Sequence, residues 1–362
     1  MREGWEYKKL GDVCDKGSSN IVINKLGDNN GEYPLYGASG LVKSVNFYHQ
    51  DKPYIGIVKD GAGVGRVNIY PAFSSLVGTM QYIFTKDDCL LNYLKYFLIK
   101  LDLSHCVSGA TIPHIYFKDY SKKRIPVPSL ETQQSIVSEL DKINELISLK
   151  KSQLEDLDSL AQSIFYDMFG DPVENEKGWE VKKLGEIGYC CSGGTPSRKI
   201  PEYFSGNKNW FSAGELNNLY IDNSIEKITQ EALESSAAKL CPAKSLFIGM
   251  YDTAAFKMSI PKISSCSNQA CANINPYKDN VIYLYFVLQA MKEEALKSRH
   301  GVRQKNLNLS YIKAFKIPLP PLSLQQTFAK RIEVIEQQKQ QINKTIKDLE
   351  TLLASRMQYW FD

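Results

Sequence analysis

The chain has 362 residues, a formal net charge of +4, 43% hydrophobic residues and 23% charged residues. This composition is ordinary for a globular protein, and it permits nucleic-acid binding without requiring it. The length suffices for two or three domains. The sequence contains no apolar run of about 18 residues and no apolar signal core, so we expect no membrane span and a cytoplasmic protein.

The eight cysteines and four histidines lack the spacing of metal ligands. Cys190 and Cys191 are adjacent, and the histidines stand far apart. We therefore expect reduced, mostly buried thiols, no bound metal and no other cofactor.

Residues 1–123 form a first block rich in tyrosine, glycine and short β-branched runs. The stretch PYIGIVKDGAGVGRVNIY, from Pro53, alternates such runs with turn residues and predicts strands joined by loops. The stretch LLNYLKYFLIKL, from Leu90, predicts a helix. The block is therefore expected to be α+β.

Residues 124–170 begin with RIPVPSLETQQ and continue as a long heptad pattern without an interior proline or glycine. Proline just before the first turn favours a helix start, and Gly170–Asp171–Pro172 ends the pattern. Apolar spacing of four and three residues over five heptads predicts a coiled coil. Its seam positions are Ile136, Leu140, Ile143, Ile147, Lys150, Leu154, Leu157, Ala161, Ile164 and Met168.

After a linker at 171–177, the chain repeats this arrangement. GWEVKKLG at Gly178 repeats GWEYKKLG at Gly4 and opens a second α+β block, residues 178–315. Within it, VIYLYFVLQAMKEEALKS predicts a helix. KIPLPPLSLQQ then opens a second coiled-coil segment, residues 316–362. Its seam positions are Phe328, Ile332, Ile335, Lys339, Ile342, Ile346, Leu349, Leu353, Arg356 and Trp360.

Each helix has about 40 residues and should be about 60 Å long. We expect the two helices to pack antiparallel as a coiled coil, with the globular blocks related by a pseudo-two-fold axis. A fixed-length spacer is the preferred interpretation, and a helical hairpin without function is the alternative. Lys150, Lys339 and Arg356 either fix the register of the seam or lie where it frays.

The candidate nucleic-acid contacts are basic, small or aromatic residues in loops, where arginine can bind guanine and lysine can neutralise phosphate. The alternative is that these loops are only solvated surface. The predicted residues are Lys43, Lys59, Gly63, Arg66, Ser192, Thr195, Arg198, Lys199, Tyr251, Lys257, Arg303 and Lys305.

Motifs for chemistry are missing from the sequence. DGAGVG is followed by Arg66 where a dinucleotide-binding fingerprint needs its third glycine. The sequence also lacks a Walker A motif, a G-x-S-x-G elbow and the N-P-P-[YF] tetrapeptide of amino-methyltransferases. This pattern favours recognition without catalysis.

The doubled GWExKKLG and IPxPxLxxQQ motifs, with WFSAGELNN, NQACANI and NLNLSYIKAFKIPLPPL in the second half, resemble the specificity subunit of type I restriction–modification systems. The resemblance covers essentially the whole chain. It implies two target-recognition domains, each reading one half of a bipartite DNA sequence from the major groove, and antiparallel helices that set the unread spacer. It also implies two docked methyltransferase subunits and further motor-nuclease subunits. S-adenosylmethionine and ATP then belong to those partners.

The chain begins almost directly at the first recognition block, so the end of the second helix should lie near the N-terminus. Three alternatives to the resemblance remain open. They are a stand-alone bipartite DNA-binding protein without methyltransferase partners, an enzyme with a cryptic active site, and a structural coiled-coil linker.

Overall fold

The computed structural model describes residues 4–109, 113–297 and 307–362. The chain forms two compact units. Unit 1 contains Met1–Ser152 and Ile342–Asp362, and unit 2 contains Gln153–Gln341. Each unit therefore combines one globular block with segments of both long helices.

Unit 1 is built on an antiparallel sheet with strand order β2-β8-β5-β6, beside a second sheet ordered β4-β3-β7 and a pair β1-β9. The strands are β1 (Glu6–Lys9), β2 (Cys14–Ser18), β3 (Tyr33–Gly37), β4 (Gly40–Val45), β5 (Tyr54–Val58), β6 (Val67–Tyr70), β7 (Ser75–Leu76), β8 (Met80–Thr85) and β9 (Arg124–Val127). The helices are α1 (Leu10–Val13), α2 (Leu91–Leu101), α3 (Phe117–Tyr120) and the first part of α4 (Leu130–Phe169).

Strand β5, with sequence YIGIV, is buried along its whole length. Side chains of successive strand residues point to opposite faces. Ile55 and Ile57 therefore pack in the cluster that holds α2, whereas Tyr54 and Val58 pack against the second sheet. Because both faces of β5 are buried against other elements, the strand is a continuous apolar run.

Unit 2 repeats this plan with strand orders β11-β18-β15-β16-β13, β14-β12-β17 and β10-β19. The strands are β10 (Glu180–Lys183), β11 (Gly188–Ser192), β12 (Lys208–Phe211), β13 (Tyr220–Ile221), β14 (Glu226–Ile228), β15 (Leu246–Gly249), β16 (Met258–Pro261), β17 (Cys266–Ser267), β18 (Cys271–Pro276) and β19 (Lys316–Leu319). The helices are the second part of α4, α5 (Leu184–Ile187), α6 (Gln230–Glu234), α7 (Val281–Ala290), α8 (Lys292–Lys297), α9 (Leu309–Ala314) and the first part of α10 (Leu322–Phe361), whose remainder belongs to unit 1.

The single helix expected from Val281 is divided into α7 and α8. The backbone N–H of Met291 donates to the carbonyls of both Val287 and Gln289, which tightens the last turn of α7 and ends it there. The end of α4 agrees with the sequence, because Gly170 follows it in a left-handed conformation with φ of +74°.

The long helices run antiparallel within each unit. In unit 1, Arg356 bonds Glu139, and Lys151 lies 3.3 Å from Glu350 further along. In unit 2, Lys339 lies 2.8 Å from Asp158. The ring centroids of Phe165 and Phe328 are 5.7 Å apart in the same unit. Residue numbers rise along one helix as they fall along the other, so the predicted antiparallel pairing and α+β class are confirmed.

The predicted seam residues lie on the packed side of each helix pair. Those that are buried are Ile136, Leu140, Ile143, Ile147, Ala161, Phe328, Ile332, Ile335 and Ile346. Those that are half-buried are Lys150, Leu154, Leu157, Ile164, Met168, Lys339, Ile342, Leu349, Leu353, Arg356 and Trp360.

The end of α10 lies beside the first strand of unit 1, as expected. The indole rings of Trp5 and Trp360 stack with centroids 6.2 Å apart, and Phe361 packs on Tyr93 at 5.2 Å. Unit 2 has a corresponding junction, where Trp179 Nε1 donates to the Phe169 carbonyl at 2.9 Å.

The doubled sequence motifs form a similar joint in both units, by which we mean the hydrogen-bonded contact between the start of a long helix and its own globular block. Gln133 is fully buried; its amide N–H donates to the carbonyls of Asp88 and Pro128, and its oxygen accepts from the backbone N–H of Leu90. In unit 2 the Gln325 amide N–H donates to the Pro320 carbonyl and to the Asp279 carboxylate, and its oxygen accepts from the backbone N–H of Asn280. The first glutamine of each QQ pair thus fixes the start of a long helix to its own block.

Candidate nucleic-acid interface

The loop between β5 and β6 carries three predicted DNA contacts, Lys59, Gly63 and Arg66. Gly63 has a φ of +84°, and the Arg66 guanidinium lies against it, donating to the carbonyls of Ala62 and Gly63 at 3.3 Å. A Cβ on residue 63 would collide with that guanidinium. Glycine therefore suits the left-handed backbone at position 63, and the Arg66 side chain that lies against it is exposed.

Two lysines of unit 1 differ in how their charge is compensated. The Lys59 ammonium lies 3.9 Å from the carboxylate of Asp60, which also bonds His114 Nδ1. Lys43, on β4, donates to the neutral carbonyl of Gly27 at 3.3 Å. Lys43 therefore keeps more of its charge available for a phosphate than Lys59 does.

The loop from Ser192 to Lys199 in unit 2 is fixed at its base. The Gly193 N–H donates to the Cys271 carbonyl at 3.0 Å, and the Gly194 carbonyl accepts from Trp210 Nε1 at 2.8 Å. Thr195 bonds the Gln269 side chain. The first four residues of the loop are thus tied to the sheets, and Lys199 is exposed beyond them.

The Arg198 side chain is held by contacts within unit 2. Its guanidinium forms two parallel bonds to Glu226, one of them 2.7 Å long. It also lies 4.1 Å from the ring centroid of Phe204 and 5.3 Å from that of Trp210. Its hydrogen bonds hold the pKa of Glu226 below its usual range. Arg198 would have to leave Glu226 before it could bind a base.

The remaining predicted contacts of unit 2 are separated along the chain. Tyr251 is 37% exposed, and Lys257 Nζ donates to Asn217 Oδ1 at 2.8 Å. Arg303 and Lys305 lie outside the described residues.

Sequence reasoning missed an exposed aromatic cluster in unit 1. Tyr48 packs edge-on against Tyr33 at 4.9 Å and against Phe73 at 5.2 Å. Tyr48 and Phe73 are 41% and 50% exposed. Exposed rings can stack on unpaired bases or pack on sugars, so this cluster joins the candidates. The aromatic residues in the stretches VNFYHQ and YPAF were the sequence feature that could have predicted this cluster.

Two charged seam positions are paired across the helices, which favours the register interpretation over fraying. Arg356 and Trp360 Nε1 both bond the Glu139 carboxylate, and the Arg356 bonds hold the pKa of Glu139 below its usual range. Lys339 lies 2.8 Å from both Asp158 and Glu336. Burial alone would lower the pKa of Lys339, but these two hydrogen bonds raise it.

The part of the chain that the structure describes contains no helix long and apolar enough to cross a membrane. Within the same residues, no group of three or more His, Cys, Asp or Glu side chains could hold a metal ion.

Curated relatives are specificity subunits of type I restriction enzymes. The EcoR124I/EcoR124II subunit of Escherichia coli is 29% identical over 70% of this chain, and the match covers 66% of that subunit's length, just under two thirds. The MjaIX subunit of Methanocaldococcus jannaschii is 29% identical over 82% of this chain and 72% of its own length.

Solved structures and a family model agree with these relatives. The S subunit of a type I restriction–modification system from M. genitalium superimposes with a TM-score of 0.62 at 16% identity, covering 99% of this chain and 96% of that chain. A second structure, from work on assembly and conformational transition of a type I system, gives 0.60 at 16% identity, covering 99% and 97%. The family model for the type I restriction modification DNA specificity domain matches residues 2–158 and 176–351. The chain therefore belongs to the family of type I restriction–modification DNA specificity subunits.

Proposed function

We propose that each globular block of this specificity subunit reads one half of a bipartite, asymmetric DNA target. The observation that supports this best is one framework repeated with unlike loops. Both blocks share the helix joint at Gln133 and Gln325. The loop between β5 and β6 reads KDGAGVGR, whereas the loop at the equivalent place in unit 2, between β15 and β16, reads MYDTAAFK. Unlike loops on like supports favour two different half-sites.

The functional segments we propose follow from this division. They are recognition domain 1 at 1–123, spacer helix 1 at 124–170, a linker at 171–177, recognition domain 2 at 178–315 and spacer helix 2 at 316–362.

Sequencing of methylated sites tests the proposal. The chain is co-expressed with its cognate methyltransferase in cells that lack other methylation, and modified adenines are mapped. We expect a motif of two unlike parts separated by a gap of fixed length. A single continuous motif, or a palindrome, would contradict the assignment of one half-site to each block.

We propose further that α4 and α10 set the gap. Each is an uninterrupted helix of 40 residues. One heptad inserted into the middle of both helices adds about 10 Å, which corresponds to about three base pairs of duplex. We expect the gap to lengthen by about that amount while both half-sites stay unchanged. An active insertion variant with the original gap would refute a spacer role.

Methyltransferase subunits are proposed to dock on the helices and recognition domains. Apolar side chains that are exposed on the helices away from the seam are the candidate contacts for such docking. They include Leu146, Leu149, Leu160, Tyr166, Val334 and Leu352. We expect co-elution of two methyltransferase subunits with one chain in gel filtration. Sequence-selective DNA binding without any co-elution would favour a stand-alone bipartite DNA-binding protein.

The chain itself is proposed to be non-catalytic and to act in the cytoplasm. S-adenosylmethionine would bind the methyltransferase subunits, and ATP would bind motor-nuclease subunits. The isolated chain should transfer no methyl group to DNA in a radiolabel assay, and transfer by the purified chain alone would contradict this division of labour.

A further inference from the structure

A pocket of about 360 Å³ in unit 2 brings together two thiols and a buried amide. It is lined by β11, β18 and the segment 238–242, and its polar side chains include Cys191, Lys239, Cys241 and Asn273. None of the functions assigned above uses this pocket.

The backbone fixes which thiol faces the pocket. Cys191 lies directly opposite Asn273 in the antiparallel pair β11–β18. Because side chains alternate along a strand, Cys190 points the other way, into the core cluster with Leu184 and Ile187. Cys241 is held by two backbone bonds to Ser265, of 2.9 and 3.0 Å. The two thiols that line the pocket together are therefore Cys191 and Cys241, which also belong to one buried cluster.

The surroundings favour the thiolate form of Cys191. Pairing with the Cys241 thiol lowers the pKa of Cys191, and burial opposes this shift. The positive charges of Lys239 and Lys313 lower it further. The same pairing raises the pKa of Cys241, as do burial and the nearby thiol of Cys266.

Asn273 supplies an independent sign that the site is built for an acceptor. Its side chain is 1% exposed, and its oxygen accepts from Ser267 at 3.0 Å. Its Nδ2 has no hydrogen-bond partner among the described residues. A buried N–H without an acceptor costs about 1–3 kcal/mol, and a thiolate at Cys191 or Cys241 would accept from it.

We propose that Cys191 and Cys241 form a peroxide-reactive dithiol site. The Cys191 thiolate attacks one oxygen of hydrogen peroxide, the O–O bond breaks, and the products are a Cys191 sulfenic acid and hydroxide, which takes a proton to become water. The Cys241 sulfur then attacks the sulfenic sulfur and displaces a second water as its thiol proton is taken up. Two thiols and one peroxide thus yield one disulfide and two waters.

The site adjoins the base of a candidate DNA loop. Cys191 immediately precedes Ser192, and Gly194 is so close to the backbone of Ala237 that a Cβ there would lie 2.2 Å from it. A disulfide would therefore tie this loop base to the segment that carries Cys241. The effect on DNA binding by the second block rests on the proposed function, whereas formation of the disulfide does not.

Peptide mapping tests the chemistry. The reduced full-length chain is treated with stoichiometric hydrogen peroxide, blocked with N-ethylmaleimide and digested. We expect a Cys191–Cys241 cross-linked peptide in the wild type and in Cys190→Ala, and none in Cys191→Ala or Cys241→Ala. Cys271, whose pKa burial raises to about 12, should stay reduced. Absence of the cross-link in the folded wild type would overturn the proposal.

An alkylation profile makes the test independent of cysteine substitutions. Iodoacetamide labelling of wild-type Cys191 should reach half of its maximum rate at a lower pH than the value of about 8.5 for an ordinary cysteine. Asn273→Ala should move that midpoint upward. A midpoint at or above that of an ordinary cysteine would also overturn the proposal. If the disulfide forms but DNA binding is unchanged, the dithiol site stands and only its proposed effect on DNA binding by the second block is refuted.

Discussion

Units 1 and 2 carry the same framework and different loops. In each, a tyrosine hydroxyl donates to the carbonyl of the proline in the IP motif, Tyr93 to Pro126 at 2.8 Å and Tyr283 to Pro318 at 2.7 Å. The strand pairs β1-β9 and β10-β19 share one register. The repeated sequence therefore encodes the joint between block and helix, and the divergent sequence encodes what each block presents to a partner.

The helix seams differ between the units in a second way. Unit 1 has the polar group Glu139, Arg356 and Trp360, whereas unit 2 has an aromatic cluster in which Phe165 and Phe169 surround Phe328. The two seams thus differ in the residues that meet at these positions, although unit 2 also has the Lys339–Asp158 ion pair and unit 1 also packs Phe361 on Tyr93.

Truncation of the seam should produce the largest effect. Phe328→Ala removes a fully buried ring and should lower the free energy of unfolding of unit 2 by about 4 kcal/mol. Ile136→Ala, at the matching position of unit 1, should cost about 3 kcal/mol. Hydrogen exchange read separately in each unit measures both, and an effect spread equally over both units would contradict the separation of the two cores.

The buried glutamines come next. Gln133→Ala and Gln325→Ala should each destabilise their own unit by about 2–3 kcal/mol, because buried backbone groups lose their partners. The neighbouring Gln134 and Gln326 are exposed and provide matched controls, with changes below about 0.5 kcal/mol expected on alanine substitution. Unfolding in denaturant with unit-resolved exchange decides between these outcomes. Equal effects in variant and control would refute the anchoring role.

The tyrosine pair should give a smaller, matched effect. Tyr93→Phe and Tyr283→Phe each remove one hydrogen bond between buried groups and should cost about 1 kcal/mol per unit. Burial raises the pKa of the Tyr283 phenol, so the Tyr283→Phe effect should not depend on pH near neutrality. Values that differ more than threefold between the two units would break the equivalence of the joints.

The smallest expected effect is the pH-dependent stabilisation that the Glu139–Arg356 ion pair contributes to the seam of unit 1. Arg356 lowers the folded-state pKa of Glu139 relative to the unfolded chain. The stabilisation is therefore present above the unfolded pKa of about 4.3 and is lost as pH falls through the lower folded value. Glu139→Gln should reduce the thermal midpoint at pH 6, and the difference between variant and wild type should shrink as pH falls below about 4.3. A constant difference across this range would contradict the ion-pair account.

Much of the framework follows from sequence because its signals are periodic or repeated. The heptads from Ile136 and Phe328 predict both helices, and the doubled IPxPxLxxQQ motif predicts a common joint. The hydrogen bonds of that joint could not be predicted from the sequence. The Gln133 amide donates to the carbonyl of Asp88, which is distant in the chain and comes close only in the folded structure.

The candidate contacts are harder to predict because a residue type does not reveal its partner. Arg198 reads as a base contact in sequence, yet Glu226, 28 residues away, holds its guanidinium. Gly63 reads as a close-approach position for DNA, yet Arg66 occupies the space above it. The cluster of Tyr33, Tyr48 and Phe73 has no motif, since it forms only when separate segments meet.

Exchange of one block tests the central claim most directly. Residues 1–123 are replaced by the corresponding block of another family member, with both helices and residues 178–315 retained, and methylated adenines are mapped in cells that contain the methyltransferase. We predict that one half of the bipartite motif changes while the other half and the gap remain. A change in both halves, or in neither, would contradict the account of two independent blocks on a shared framework.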